Sequence, residues 1–132
     1  MTVDRARRRA QGVRHRARSC RRLARLLAQR GIAVASGLAR GIDTAAHCGA
    51  LETGGITFAV IGTPLTRCYP SENAELQRRI GQVGAVVSQF APSSKTRPSC
   101  FPMRNATMSG LTLGTVVIGV FPQVLTPRIP GK

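Results

Sequence analysis

Apolar and polar positions alternate along this chain with two different periods. From Ser19, "SCRRLARLLAQRG" sets Cys20, Leu23, Ala24 and Leu27 on one side and arginines on the other, the spacing of an amphipathic helix closed by Gly31. "IAVA" (Ile32–Ala35) is continuously apolar and short, which predicts a strand buried on both faces. Ile42 to Thr53 reads as a second helix, with Ile42, Ala45, Ala46, Gly49 and Ala50 as a small-residue face and Gly54-Gly55 as its stop. "ITFAVIG" (Ile56–Gly62) is the next strand. After the loop "TPLTRCYP", Ser71 is placed to cap a third helix, with Glu72 and Glu75 near its positive end and Leu76, Ile80 and Val83 on its buried side. "AVVS" (Ala85–Ser88) predicts a third strand and residues 91–102 a long Pro- and Ser-rich loop. Asn105 to Leu113 predicts a short helix, and "GTVVIGV" a fourth strand. The closing "PQVLTPRIPGK" has no period and predicts disorder.

Helices alternating with apolar strands define an α/β fold, a parallel sheet with helices on both faces. Ligands of such sheets sit beyond the carboxyl ends of the strands, in loops that lead into helices. "SGLARGID" (Ser36–Asp43) is a loop of that kind. Gly37 and Gly41 allow a tight turn and close approach of a ligand. The helix that begins near Ile42 aims its free N–H groups at the loop, and Arg40 adds a fork suited to phosphate. Asp43 is placed to cap backbone N–H groups and to orient Arg40. The plainer reading, a strand–helix connection whose glycines only turn the chain, weighs about the same on the loop alone. His47 follows Asp43 by one turn. With no serine, cysteine or metal partner at suitable spacing, it reads as a hydrogen-bonded helix histidine rather than a catalytic base.

Charge changes the picture. The 132 residues carry a net +15, and residues 1–30 hold eleven arginines against Asp4, a local +10. Residues 31–132 hold nine basic and four acidic residues. A cation excess of this size points to a polyanion, because release of condensed counterions drives binding to nucleic acid. No apolar h-region follows the basic start, and the longest near-apolar run, Leu111 to Phe121, is too short to span a bilayer. Cys20, Cys48, Cys68 and Cys100 are scattered without a C-x-x-C pair, the pattern of reduced packing residues in a cytoplasmic protein rather than a metal or redox site. No cofactor is expected.

A second cluster, "CFPMRN" (Cys100–Asn105), sets Phe101 in a polar loop with Lys95, Arg97 and Arg104 around it. An aromatic among cations suits single-stranded nucleic acid, the ring stacking on a base while the cations hold phosphates. A core plug beneath a long loop explains Phe101 equally well on composition.

"VASGLARGIDTAAHCGALETGGITFAVIGT", "YPSEN" and "FPMRNATMSGLTLGTVVIGV" resemble, in order and spacing, the DNA-processing protein A (DprA/Smf) family over about residues 19–120. The resemblance implies a Rossmann-like domain over 19–120, preceded by a basic segment (1–18) and followed by a proline-rich tail (121–132). It implies a cytoplasmic, non-enzymatic protein that binds single-stranded DNA without sequence preference and loads the RecA recombinase in natural transformation, with a homodimer as a candidate state. DNA contacts would fall on Ser36, Gly37, Arg40, Gly41 and Asp43, and on Arg97, Phe101, Arg104 and Asn105, with Arg40 on phosphate and Phe101 on a base.

The chain departs from the family pattern at both ends. "MTVDRARRRAQGV" stands where the family has a strand and a G-S-R-like loop. Ala106, Thr107 and Met108 replace the family's R-I-I after Asn105. Past Val120 the family's Glu-Ala pair gives way to the proline-rich tail. These departures predict a sheet lacking the family's first and last strands, the middle segment left by a truncated or frameshifted gene, with unpaired strand backbone. Two other functions remain in view: an inert fragment whose arginines bind any polyanion, and a nucleotide-processing enzyme on a related fold, for which the P-G-G-x-G-T signature is not found.

Overall fold

A computed structural model describes residues 3–118 of the chain. The elements are α1 (Val3–Gln29), β1 (Val34–Ser36), α2 (Ile42–Glu52), β2 (Thr57–Ile61), a 3-10 turn (Ser71–Asn73), α3 (Ala74–Val83), β3 (Ala85–Ser88) and α4 (Cys100–Leu111). The three strands form one parallel sheet in the order β1-β2-β3, with Val34 opposite Thr57 and Val60 opposite Val87.

Alternation along β2 sorts the layers. Thr57, Ala59 and Ile61 point to one face, where Ala59 and Ile61 join Leu38 and Ile80 in a buried cluster, with Leu51 of α2 and Leu76 of α3 packed on it. Val60, on the opposite face, is also buried, and there the first turns of α4 approach. Helices therefore lie on both faces, as the alternation of elements predicts.

A second cluster joins Cys20, Ala24 and Ala28 of α1 to Val34 and to Ala46 and Ala50 of α2. The small-residue face of α2 exists for this contact. A Cβ on Gly49 would overlap the backbone carbonyl of Arg21, so the two helices pack nearly backbone to backbone. Burial pushes the Cys20 thiol up, which keeps it an uncharged packing group.

Four expectations are corrected. α1 is not confined to residues from Ser19 onward but runs unbroken from Val3, so the basic segment and the domain share one helix. Ser71 does not cap α3 and instead opens the 3-10 turn; Asn73 precedes α3, and neither makes a side-chain cap bond. Val83, expected inside, is 47% exposed. α4 begins at Cys100, five residues early, because Pro102 falls in the first turn, where a missing N–H leaves no helical bond unmade.

The fourth strand is also not found among the described residues. Residues 114–118 are irregular, with Val116 and Val117 exposed, while Ile118 touches the α1–α2 cluster. A strand pattern needs a hydrogen-bonded neighbour, and β1 pairs with β2 alone among the described residues. Gly119, Val120 and the tail 121–132 lie outside the described residues.

Gly49→Val should force α1 off α2. The expected cost is about 1–3 kcal/mol, read as a lowered melting temperature by circular dichroism.

Candidate functional site

The loop after β1 is fixed by nearly every group it contains. Leu38 adopts a positive φ of 63° and is fully buried, so its side chain anchors the loop in the core. The Leu38 carbonyl accepts a bond from Asn73 Nδ2 at 2.9 Å, and Asn73 also donates to Thr44 Oγ1 at 3.0 Å. Thr44 Oγ1 in turn donates to the Ala39 carbonyl at 2.8 Å. Gly41 stands at the N-cap of α2 with φ of 82°.

Asp43 does not orient Arg40. One of its oxygens accepts from Ser36 Oγ at 2.6 Å and the other from the Ala39 N–H at 3.1 Å. The carboxylate thus ties the end of β1 to the loop backbone, and no side chain caps α2. Arg40 turns outward instead and pairs through Nε with Glu72 Oε1 at 2.5 Å, with both side chains more than half exposed.

α4 supplies the other wall. Phe101, in its first turn, lies over Gly62 at the end of β2, and a Cβ on Gly62 would stand 2.8 Å from the ring. Phe101 is therefore half-buried on a helix rather than set in a loop. Tyr69, from the loop after β2, meets it with ring centroids 5.7 Å apart and planes tilted by 48°.

Arg104, one turn on, has its guanidinium carbon 5.8 Å from the Phe101 centroid and is only 5% exposed. Its Nη1 donates to the Gly37 carbonyl and, at 3.0 Å, to the Val60 carbonyl; its Nε donates to Asn105 Oδ1 at 2.9 Å. Gly37 has to be glycine, since any Cβ would collide with this guanidinium. Burial lowers the Arg104 pKa from the ordinary arginine value, and the negative charge of Asp43 acts against that shift.

These groups enclose a cavity of about 450 Å³ lined by Gly37, Ala39, Arg40, Gly62, Tyr69, Pro70, Phe101 and Arg104. Of the residues singled out in the sequence, Gly37, Arg40, Phe101 and Arg104 share its wall. Ser36 and Asp43 stand behind the loop as its support, and Gly41 starts the helix beneath it. Asn105 is exposed on the far side of Arg104, and Arg97 is exposed in the preceding loop, away from the lining. Sequence reasoning missed Tyr69, Gly62 and Asn73. The Tyr-Pro and Asn of "YPSEN" were the available signal.

His47 lies in the core behind the site. Its Nδ1 is 2.8 Å from Thr57 Oγ1, whose own proton goes to the Val34 carbonyl at 2.7 Å, so the ring carries its proton on Nδ1. Nε2 has no partner within hydrogen-bond geometry among the described residues. Burial lowers the His47 pKa to about 4, outweighing the opposite pulls of Asp43 and the Ser36 backbone. The ring is neutral and structural. Among the described residues no cluster of His, Cys, Asp or Glu is placed to hold a metal, and no helix is long and apolar enough to cross a membrane.

A parallel sheet flanked by helices, with a glycine- and arginine-bearing loop after its first strand, defines an α/β protein of the Rossmann-like class. The family model for DNA recombination-mediator protein A matches residues 8–121, and the chain belongs to that family. It is 46% identical to DNA processing protein DprA of Streptococcus pneumoniae over 86 residues, which is 65% of this chain and 30% of that protein. It is 36% identical to Protein Smf of Synechocystis over 83% of this chain and 27% of that protein. Protein Smf of Escherichia coli is 42% identical over 70% of this chain and 25% of that protein. The X-ray structure of DprA from Streptococcus pneumoniae superimposes with a TM-score of 0.64 at 39% identity, over 73% of this chain and 34% of that one. The chain thus spans between a quarter and a third of the length of these relatives.

Because the unfolded ring protonates near 6.5 and the folded one near 4, His47 favours the folded state fully above pH 6.5 and loses that contribution as pH falls toward 4. The loss is on the order of 3 kcal/mol. Melting temperature should drop across that window in the wild type, and His47→Gln should flatten the drop.

Proposed function

We propose that this chain is a single-stranded-DNA-binding module acting in DNA processing and recombination during natural transformation, by binding rather than by turnover. The observation that carries the reading is the cavity itself, with the tilted pair Tyr69 and Phe101 on one side and the outward Arg40 on the other. A base stacks on Phe101, and its phosphate reaches Arg40. Neither contact reads base edges, so binding is independent of sequence. The names of the relatives, DNA processing protein and recombination mediator, support the same role. RecA and a second copy of the chain are the proposed protein partners, by family resemblance.

The nine sequence-assigned positions divide by task. Arg40 and Phe101 touch DNA, Gly37 leaves room for the Arg104 guanidinium, Gly41 turns the chain into α2, and Arg97 adds long-range attraction. Ser36, Asp43, Arg104 and Asn105 hold the others in place. The Arg40–Glu72 pair is solvent-exposed and worth about 0–1 kcal/mol, so a phosphate displaces Glu72 easily.

Fluorescence anisotropy with labelled oligo-dT tests this. Arg40→Ala and Phe101→Ala should each weaken binding by about tenfold, the first with little change in melting temperature and the second with a lowered one because its ring packs on Gly62 and Tyr69. Glu72→Gln should tighten binding a fewfold. Arg104→Ala should lower binding and stability together, by about 1–3 kcal/mol in stability, because two buried carbonyls lose their donor. The log–log salt slope should be about −0.7 per phosphate held. Indifference to both Arg40→Ala and Phe101→Ala, with full competition by heparin, would leave only polyanion capture by the arginines.

A further inference from the structure

α1 has 27 residues, about 40 Å at 1.5 Å per residue, whereas α2, on which it packs, has eleven. Only the C-terminal half of α1 is covered. Cys20, Ala24 and Ala28 are buried, while residues 6–11, 13 and 14 are exposed. Small or apolar residues nonetheless recur at Val3, Ala6, Ala10, Val13, Ala17, Cys20, Ala24 and Leu27, with alternating spacings of three and four. The seam that packs on α2 therefore continues along the helix past the domain.

Arginines flank that seam on both sides. At 100° per residue, Arg7, Arg14 and Arg18 fall on one flank, Arg9 and Arg16 on the other, and Arg8 opposite the seam. Asp4 is the one acidic residue in α1. A partner must therefore carry negative charge on both sides of a helix at once and meet a shallow face between. An acidic helix in a coiled coil would need larger residues than Val, Ala, Ala and Val along the seam to hold it. The major groove of a duplex is about 12 Å wide, admits an α-helix, and lines both walls with phosphates.

We propose that the arginine-flanked N-terminal half of α1 is a second DNA site, separate from the cavity, which docks in the major groove of double-stranded DNA. It rests on a DNA function for the chain but not on the cavity. The alanines let the helix approach the groove floor, and Val13, 43% exposed, meets thymine methyls. Phosphates also relieve a strain internal to the helix: Arg14 and Arg18, like Arg18 and Arg22, are like charges four residues apart, and Gly12 weakens the helix just before them. Duplex binding should therefore raise helicity.

The test uses the full chain, a labelled 20-base-pair duplex and labelled oligo-dT. Replacing Arg7, Arg9, Arg14 and Arg16 together by Gln should lower duplex affinity at least tenfold at 0.1 M salt. It should make the log–log salt slope shallower by about 3–4 and abolish the duplex-induced gain in the 222 nm dichroism signal. Phe101→Ala should leave duplex binding unchanged. Unchanged duplex affinity in the four-arginine variant would overturn the proposal. So would an equal loss for duplex and oligo-dT, or competition by poly-glutamate as effective as by duplex at equal charge. If oligo-dT binding ignores Phe101→Ala while the duplex effects stand, the cavity fails as a DNA site and the helix does not.

Discussion

The buried guanidinium of Arg104 is the constraint on which the site depends. It joins the carbonyl of Gly37, after β1, to that of Val60 in β2, and so fixes the loop to the sheet from α4. A buried cation is tolerable only when its donors are met, and here two backbone carbonyls and a neighbouring amide meet them while Asp43 offsets the charge. The two glycines follow from this packing, one yielding space to the guanidinium and the other to Phe101. An aromatic ring held over the end of β2 and a loop held beside it are then two consequences of one side chain.

Cations in this protein serve opposite ends according to burial. Arg104 is sequestered and organises backbone, whereas Arg40, in the loop it holds, is exposed and tied only to Glu72. Asp43 makes the difference at the start of α2. By taking the Ser36 hydroxyl and the Ala39 N–H, it is held within the loop, and Arg40 is left to pair with Glu72 at the surface. Asn73, from the 3-10 turn before α3, and Thr44 of α2 complete the loop's restraint, so the cavity is preorganised by hydrogen bonds to neighbouring elements.

The sheet behind the site is small. Its three strands are held by helices chosen for close approach, α1 on α2 through glycine and alanine and α3 on β2 through Ile80, with His47 and Thr57 tying α2 to both β1 and β2. A neutral histidine in that position makes the core polar at one point, and its Nδ1 proton is what satisfies the Thr57 hydroxyl.

Legible in the sequence alone were the alternation of helix and strand, the three strands actually formed, the family, and "SGLARGID" as the turn from β1 into α2. Those features are local: period, glycine and charge spacing are written in consecutive residues. Tertiary structure decided which of the marked residues face outward. Arg40 and Arg104 look alike in sequence, and only packing against Gly37 buries one of them. Tyr69 joined Phe101 because β2 and α4 converge at Gly62, a contact between residues 32 apart in the chain. "GTVVIGV" has the composition of a strand, but residues 114–118 remain irregular, since a strand exists only where a neighbour offers its backbone.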